Sequence, residues 1–279
     1  MKAKGSVHLT EADLDFLVRA VTTTRTDYER VKAVVRGKAD LLAVMLDDER
    51  VFHRLVESPA AFLRVSPYFL FAVLLRQAQR DLRGRGFTME ASALGTLPVF
   101  DAERAAQLLE DADIRDYIAG MLAGFTRVDR HEEFVWDGEE LRRVTWSDFT
   151  VEDLEAMLEL TEEDARFPLY RRLGDLCLFL TGMFADYLVA RARKPSGRGA
   201  RARGGRPEDI EAYEELGRRC YRRAAEAEAA ARLGLEDVLA RLADGFTLAR
   251  KPLAVIAQRY IPLHRHRWFP AGPAPVPGA

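Results

Sequence analysis

The residue of this chain best placed to do chemistry is Asp175, which follows Gly174 inside the apolar stretch Leu173 to Ala185. A carboxylate among apolar side chains must find a partner. Arg171 and Arg172 lie one turn back on the same helix, and Tyr213, Arg219 and Tyr221 come from a later one. Two uses follow from this composition. Asp175 either closes a structural ion pair, or sits in a pocket with a raised pKa, where Asp175, Arg172, Tyr213 and Tyr221 would line a site for a small, largely apolar ligand. The chain has only two cysteines, Cys177 and Cys220, both in apolar helical patterns. Buried thiols behave as small hydrophobes. A redox pair or part of a metal site is the alternative, although neither belongs to a Cys-x-x-Cys and no histidine is near in sequence.

The remaining chemistry is tested by spacing. A di-iron bundle needs Glu-x-x-His twice. None of the five histidines, His8, His53, His131, His264 and His266, has an acid three residues before it. Phosphate-loop, dinucleotide, nucleophile-elbow and zinc-protease motifs are missing as well. No catalytic residue, metal or cofactor is therefore expected. From Arg191 to Arg206 the chain reads RARKPSGRGARARGGR, with seven basic residues (Arg191, Arg193, Lys194, Arg198, Arg201, Arg203, Arg206) and no acid. Such a segment can bind nucleic-acid phosphates without reading sequence, or serve only as a solvated linker. His264 to Phe269 places charge beside aromatics, a composition that suits base stacking or docking into a protein groove.

Elements must position these groups. With 48% apolar and 31% charged residues and a net charge of -2, the chain has the balance of a globular protein and no global pull toward nucleic acid or acidic membranes. Two cysteines and no apolar leader at Met1 to Leu9 point to the cytoplasm. The charge-free run Leu176 to Ala185 is about half of the roughly 20 residues that cross a bilayer, so Phe167 to Arg191 reads as one core helix rather than a membrane span. Gly174 and Gly182 within it each cost about 1 kcal/mol against alanine and ask for a packing or functional reason. Gly174, Cys177, Thr181 and Ala185 form one stripe of small side chains. Gly217, Cys220, Ala224, Ala227 and Ala231 form another on a helix expected from Glu208 to Arg232. Antiparallel packing of the two stripes would bring Cys177 to Cys220, with Cα atoms within about 7 Å.

Elsewhere Thr10 with Asp13 predicts a capped helix start. Ser66-Pro67 opens and Gly84 closes the clearest helix of the first half, with Tyr68, Phe69, Phe71, Leu74 and Leu75 as its core face. Gly84 to Phe100 has no period and reads as a loop. Helices follow over 101–110 and 113–124, and Thr150 with Asp153 and Thr161 with Asp164 look like two further starts. Asp137-Gly138 between Phe134-Val135-Trp136 and Leu141 to Thr145 predicts a β-hairpin, about residues 134–145, whose Phe134, Trp136 or Trp146 should pack on helices.

Arg172-x-Gly174-Asp175-x-x-Leu178-Phe179-x-x-Gly182-x-Phe184, followed by Tyr213-x-x-x-Gly217-x-x-x-Tyr221, resembles a pattern in conserved bacterial helical proteins of unknown function. The resemblance spans roughly Leu63 to Pro262 and is densest over Leu169 to Tyr221. It implies a shared helical fold and no activity, and the basic loop looks like an insertion relative to it.

The sequence thus predicts an all-α, bundle-like protein with one small β-hairpin. An N-terminal helical half (1–130), the hairpin (131–146) and a C-terminal helical half (147–262) pack as one unit, with a basic flexible loop at 191–206 and a Pro-rich tail at 263–279. The expected role is a non-enzymatic cytoplasmic interaction or regulatory protein whose protein partner is met by the basic loop, the hairpin flap or the C-terminal tail. A binding protein or enzyme for an apolar ligand near Asp175 is the alternative, and nonspecific nucleic-acid binding a weaker one. The sequence sets no oligomeric state.

Overall fold

The computed structural model describes residues 9–22, 27–57, 59–62, 64–92, 95–126, 130–137, 140–147, 150–193, 210–262 and 268–270, with the side chains at 59–60, 90–92, 95–97, 130–137, 140–147 and 191–193 left out. The architecture is all-α with small antiparallel hairpins. In chain order it runs α1 (Glu11–Val21), α2 (Tyr28–Arg36), α3 (Ala39–Leu46), α4 (Glu49–Glu57), α5 (Pro59–Phe62), α6 (Pro67–Arg83), the hairpin β1 (Thr88–Ser92) and β2 (Gly95–Val99), α7 (Ala102–Leu108) and α8 (Ala112–Phe125). The hairpin β3 (Arg130–Asp137) and β4 (Glu140–Ser147) follows, then α9 (Val151–Leu160), α10 (Phe167–Met183), α11 (Ala185–Arg193), α12 (Ile210–Glu226), α13 (Glu228–Leu233), α14 (Glu236–Asp244) and α15 (Phe246–Val255). The last continues into a π turn at Ile256–Tyr260. No helix among the described residues is long and apolar enough to cross a membrane.

Local chemistry accounts for the first half. Thr10 Oγ1 accepts the Asp13 N–H at 3.2 Å, and Asp13 Oδ2 accepts the Thr10 N–H at 2.8 Å, a reciprocal capping box. Asp13 is fully buried because its other oxygen accepts the Ser66 N–H at 2.7 Å. One carboxylate thereby ties the start of α1 to the start of α6. Ser66 caps α6 through the Phe69 N–H, Pro67 occupies its first turn and Gly84 its end. Phe69, Phe71, Leu74 and Leu75 are buried, whereas Tyr68 is half-buried and donates its hydroxyl to Asp116.

Five expectations need correction. The stretch Gly84 to Phe100 contains the β1–β2 hairpin, with Thr88 opposite Val99 and Met89 opposite Pro98. Proline weakens a strand reading, yet a two-stranded ladder leaves an outward N–H unused, so Pro98 is tolerated there. The base of that hairpin is held from far along the chain. Buried Lys251 of α15 donates to Thr88 Oγ1 at 3.1 Å and pairs with Asp101 at 2.7 Å. Thr161 does not start a helix: its hydroxyl donates to Met157 O at 2.7 Å at the end of α9, and Glu163–Ala165 is a short 3-10 turn.

The single helix expected over 167–191 is two. At Phe184 (φ -131°, ψ 33°) the backbone leaves helical angles, and the ring is buried beside Phe179 and Phe269. The helix expected over 208–232 likewise divides at Ala227 (φ -74°, ψ 138°), so its small stripe ends at Ala224 and Ala231 is exposed. The aromatics of the Pro-rich tail are not all available for base stacking or for a protein groove. Phe269 is buried in the aromatic core, stacked on Phe71 at 5.6 Å and edge-on to Phe179 at 4.9 Å, so it fills its own chain's core rather than a partner's groove.

The expected second hairpin is present, with strands longer than predicted, from Arg130 paired with Ser147 to Asp137 paired with Glu140. The packing expected of Phe134, Trp136 or Trp146 lies outside the described residues, as do Gly138, the expected helix start at Glu208 and the histidines of the tail.

Candidate functional site

Among the described residues the most extensive helix–helix seam runs between α10 and α12, and glycines set its closeness. A Cβ on Gly174 would fall 2.5 Å from Cδ1 of Tyr221, and one on Gly217 would fall 2.5 Å from Cζ of Phe246 and 2.9 Å from the Cys177 Cβ. Position 174 thus faces 221 while 177 faces 217, so the helices run antiparallel with the two small stripes in contact. Gly182 serves a different neighbour: its Cβ would meet Leu253 Cβ of α15 at 2.6 Å. The first stripe is therefore shared between two helices.

Asp175 sits in this seam with its side chain buried. Tyr117 of α8 donates to Asp175 Oδ1 at 2.7 Å, and Tyr221 of α12 donates to the same oxygen at 2.9 Å. The two phenol rings meet edge to face at 6.4 Å. Burial pushes the Asp175 carboxyl above its ordinary value, while the Tyr117 hydrogen bond, the Arg171 charge, the Tyr221 hydrogen bond and the Arg172 charge pull it back. Burial, and then the charge of Asp175, push both phenols well above their ordinary range, which keeps them as donors. Arg172 lies with its guanidinium carbon 4.0 Å from the Phe125 ring centroid, a cation–π contact beside the seam.

Of the residues expected around Asp175, the structure brings Tyr221 into hydrogen-bond contact and Arg172 into electrostatic range. Tyr213 is buried two turns before Tyr221, about 12 Å along α12, opposite the Gly182 end of α10. Arg219 turns away to line a surface groove. Tyr117 was not foreseen. Its only signal was a tyrosine on the inward face of α8, which is indistinguishable from an ordinary core ring until the fold brings residues 58 positions apart together.

Cys177 and Cys220 are both buried free thiols, and burial, with Cys220 beside it, pushes the Cys177 thiol well above its ordinary value. A second buried charge went unread in the sequence. Glu214 of α12 pairs with Arg250 of α15 and also accepts Thr247 Oγ1 at 2.8 Å and Arg218 Nη2 at 3.3 Å. Among the described residues no three or more His, Cys, Asp or Glu side chains are grouped to hold a metal. Arg191 and Arg193 fall at the end of α11, whereas Lys194, Arg198, Arg201, Arg203 and Arg206 lie outside the described residues.

On the outer side of the seam an open groove of about 600 Å³ runs between α9, α10 and α12. Leu158, Tyr170, Leu173 and Leu216 supply an apolar floor into which Cys220 borders. Arg219, Arg222 and Arg223 stand exposed along its α12 edge, spaced three and four residues from Arg219 so that they share one face. Glu155 and Glu226 complete the rim. Apolar floor with charged rim is the anatomy of a docking surface. Compared with protein-family models, with curated proteins and with solved structures, the chain matches none.

Proposed function

We propose that the chain is a non-enzymatic cytoplasmic interaction or regulatory protein that docks a polypeptide partner in the groove between α9, α10 and α12. The observation that carries this reading is the groove itself, an apolar floor of Leu158, Tyr170, Leu173 and Leu216 edged by exposed Arg219, Arg222 and Arg223. The buried polar groups nearby support it, because they are committed to holding helices: the Asp175 Oδ1 atom to two tyrosines and Glu214 to Arg250, Thr247 and Arg218. A rigid seam beneath the groove presents its arginines from a fixed helix face.

Native mass spectrometry of the protein purified from its source cells tests the proposal. A polypeptide should travel with the wild-type chain at fixed stoichiometry and be lost from the Leu158→Arg and Arg222→Glu/Arg223→Glu variants, whose unfolding should stay close to wild type. A chain that travels free, or a complex indifferent to all these changes, would refute it.

A further inference from the structure

A second cleft, of about 670 Å³, lies where α1 meets α4 and α5. Its apolar walls are Ala12, Phe16 and Ala61, and Arg19, Arg54 and Arg64 line it beside Asp15. That volume falls within the range of small-molecule sites. The three arginines come from the ends of three elements: Arg19 and Arg54 in the last turns of α1 and α4, and Arg64 just beyond α5.

Contacts fix two of them without using up their donors. Arg54 Nη1 donates to Arg19 O at 2.7 Å, and its guanidinium carbon lies 5.9 Å from the centroid of Phe16. Arg19 lies over the Tyr28 ring at 4.8 Å and is 3.5 Å from Asp15. Arg64 is exposed; its backbone N–H donates to Ala61 O at 3.0 Å, and its side chain makes no hydrogen bond or ion pair among the described residues. The one carboxylate of the cleft, Asp15, is already engaged by Lys32 at 2.8 Å, which holds its carboxyl below the usual range. The cleft therefore combines an excess of fork-shaped cationic donors with one aromatic wall.

We propose that this cleft binds a small organic phosphate monoester whose phosphate is gripped by Arg54 and Arg64 and whose planar group rests against Phe16. A phosphate dianion offers three oxygens to several guanidinium forks, whereas a single carboxylate is satisfied by one arginine. The half-buried Phe16 ring is held edge-on by Phe69 at 5.7 Å and borders the cleft together with the Arg54 guanidinium. The inference is independent of the groove between α9, α10 and α12 and stands or falls without it.

Isothermal titration calorimetry of the full chain with phenyl phosphate, inorganic phosphate and phenol provides the test. Phenyl phosphate should bind, inorganic phosphate should bind more weakly and phenol should give no saturable heat. Arg64→Gln and Arg54→Gln should each weaken phenyl phosphate about tenfold, the loss of one charge-assisted contact. Phe16→Leu should narrow the difference between phenyl phosphate and inorganic phosphate. Arg64 is exposed, so its variant keeps the test valid even if Phe16→Leu disturbs the fold. No binding of phenyl phosphate at millimolar concentration overturns the proposal. Binding unchanged in both arginine variants does so too, as does inorganic phosphate binding as tightly as phenyl phosphate.

Discussion

Glycine-to-alanine substitution should change sign with position in this molecule. In a helix interior the exchange alone stabilises by about 1 kcal/mol. At Gly120 of α8 nothing lies within 4 Å of the added methyl, so Gly120→Ala should realise that gain. At Gly217 the methyl would stand 2.5 Å from Phe246 Cζ and 2.9 Å from the Cys177 Cβ, both in fully buried side chains. Ordinary contact needs a further 1 Å or so, and the ring and the α10 side chain cannot both retreat. Overpacking of this kind costs about 1–3 kcal/mol, and contact on two sides puts Gly217 at the upper end. The net effect should be a loss of about 2 kcal/mol, or a gap of about 3 kcal/mol from Gly120→Ala. For a chain of this size that gap separates the two melting temperatures by about 6–10 °C. Gly174→Ala, pressed on the buried Tyr221 ring, should resemble Gly217→Ala. Thermal unfolding followed by circular dichroism decides the matter. If Gly217→Ala melts at or above Gly120→Ala, the close approach of α10 and α12 is wrong.

Two further predictions concern the core. Asp175→Ala leaves two buried phenol hydroxyls without their acceptor and should cost about 1–3 kcal/mol for each, whereas Asp175→Asn keeps an oxygen that can accept both and should fall within about 1 kcal/mol of wild type near neutral pH. The sign of the pH dependence follows from burial. The folded carboxyl titrates above its unfolded value, so its favourable contribution is complete below the unfolded value and is lost as pH rises through the folded one. Asp175→Asn should therefore gain on wild type as pH rises above about 4, the ordinary carboxylate value, and chemical denaturation of both at several pH values would contradict this if the difference stayed flat or reversed. Phe269→Ala should destabilise by about 3–5 kcal/mol, because the ring is buried among Phe71, Phe179 and Phe184; a surface-like loss below 1 kcal/mol in urea titration would remove the tail from the core.

What the sequence made legible was local or periodic. The Thr10–Asp13 box, the Ser66 cap, the Asp137-Gly138 hairpin and the two facing stripes of α10 and α12 all follow from spacing within one element, or from matched spacing in two. The breaks at Phe184 and Ala227 were not legible, since each flanking segment keeps a helical pattern and only the tertiary core decides where the backbone turns. The β1–β2 hairpin was hidden for a similar reason: it is fastened by Lys251, 163 residues from Thr88. For the candidate site, the need of Asp175 for partners was readable. The choice of Tyr117 over Arg171 as hydrogen-bond donor was not, because it depends on which helix passes overhead.

That choice bears on where an exchange with another molecule can occur. For a ligand to take Asp175 Oδ1, Tyr117 or Tyr221 would have to release it. Tyr221 cannot swing aside, because its ring fills the space left by the missing side chain of Gly174 and also packs at 5.9 Å on Phe246, which in turn fills the space above Gly217. Glycine, tyrosine and phenylalanine thus interlock, and the Asp175 carboxyl is held at the centre of a close-packed seam. The same interlock fixes the rotation of α12 about its axis. With Cys220 and Tyr221 turned inward, Arg219, Arg222 and Arg223 must point outward together over Leu158 and Tyr170. The buried aspartate and the exposed arginines are therefore two sides of one constraint: the packing that encloses Asp175 also sets the outward face of α12 that borders the groove.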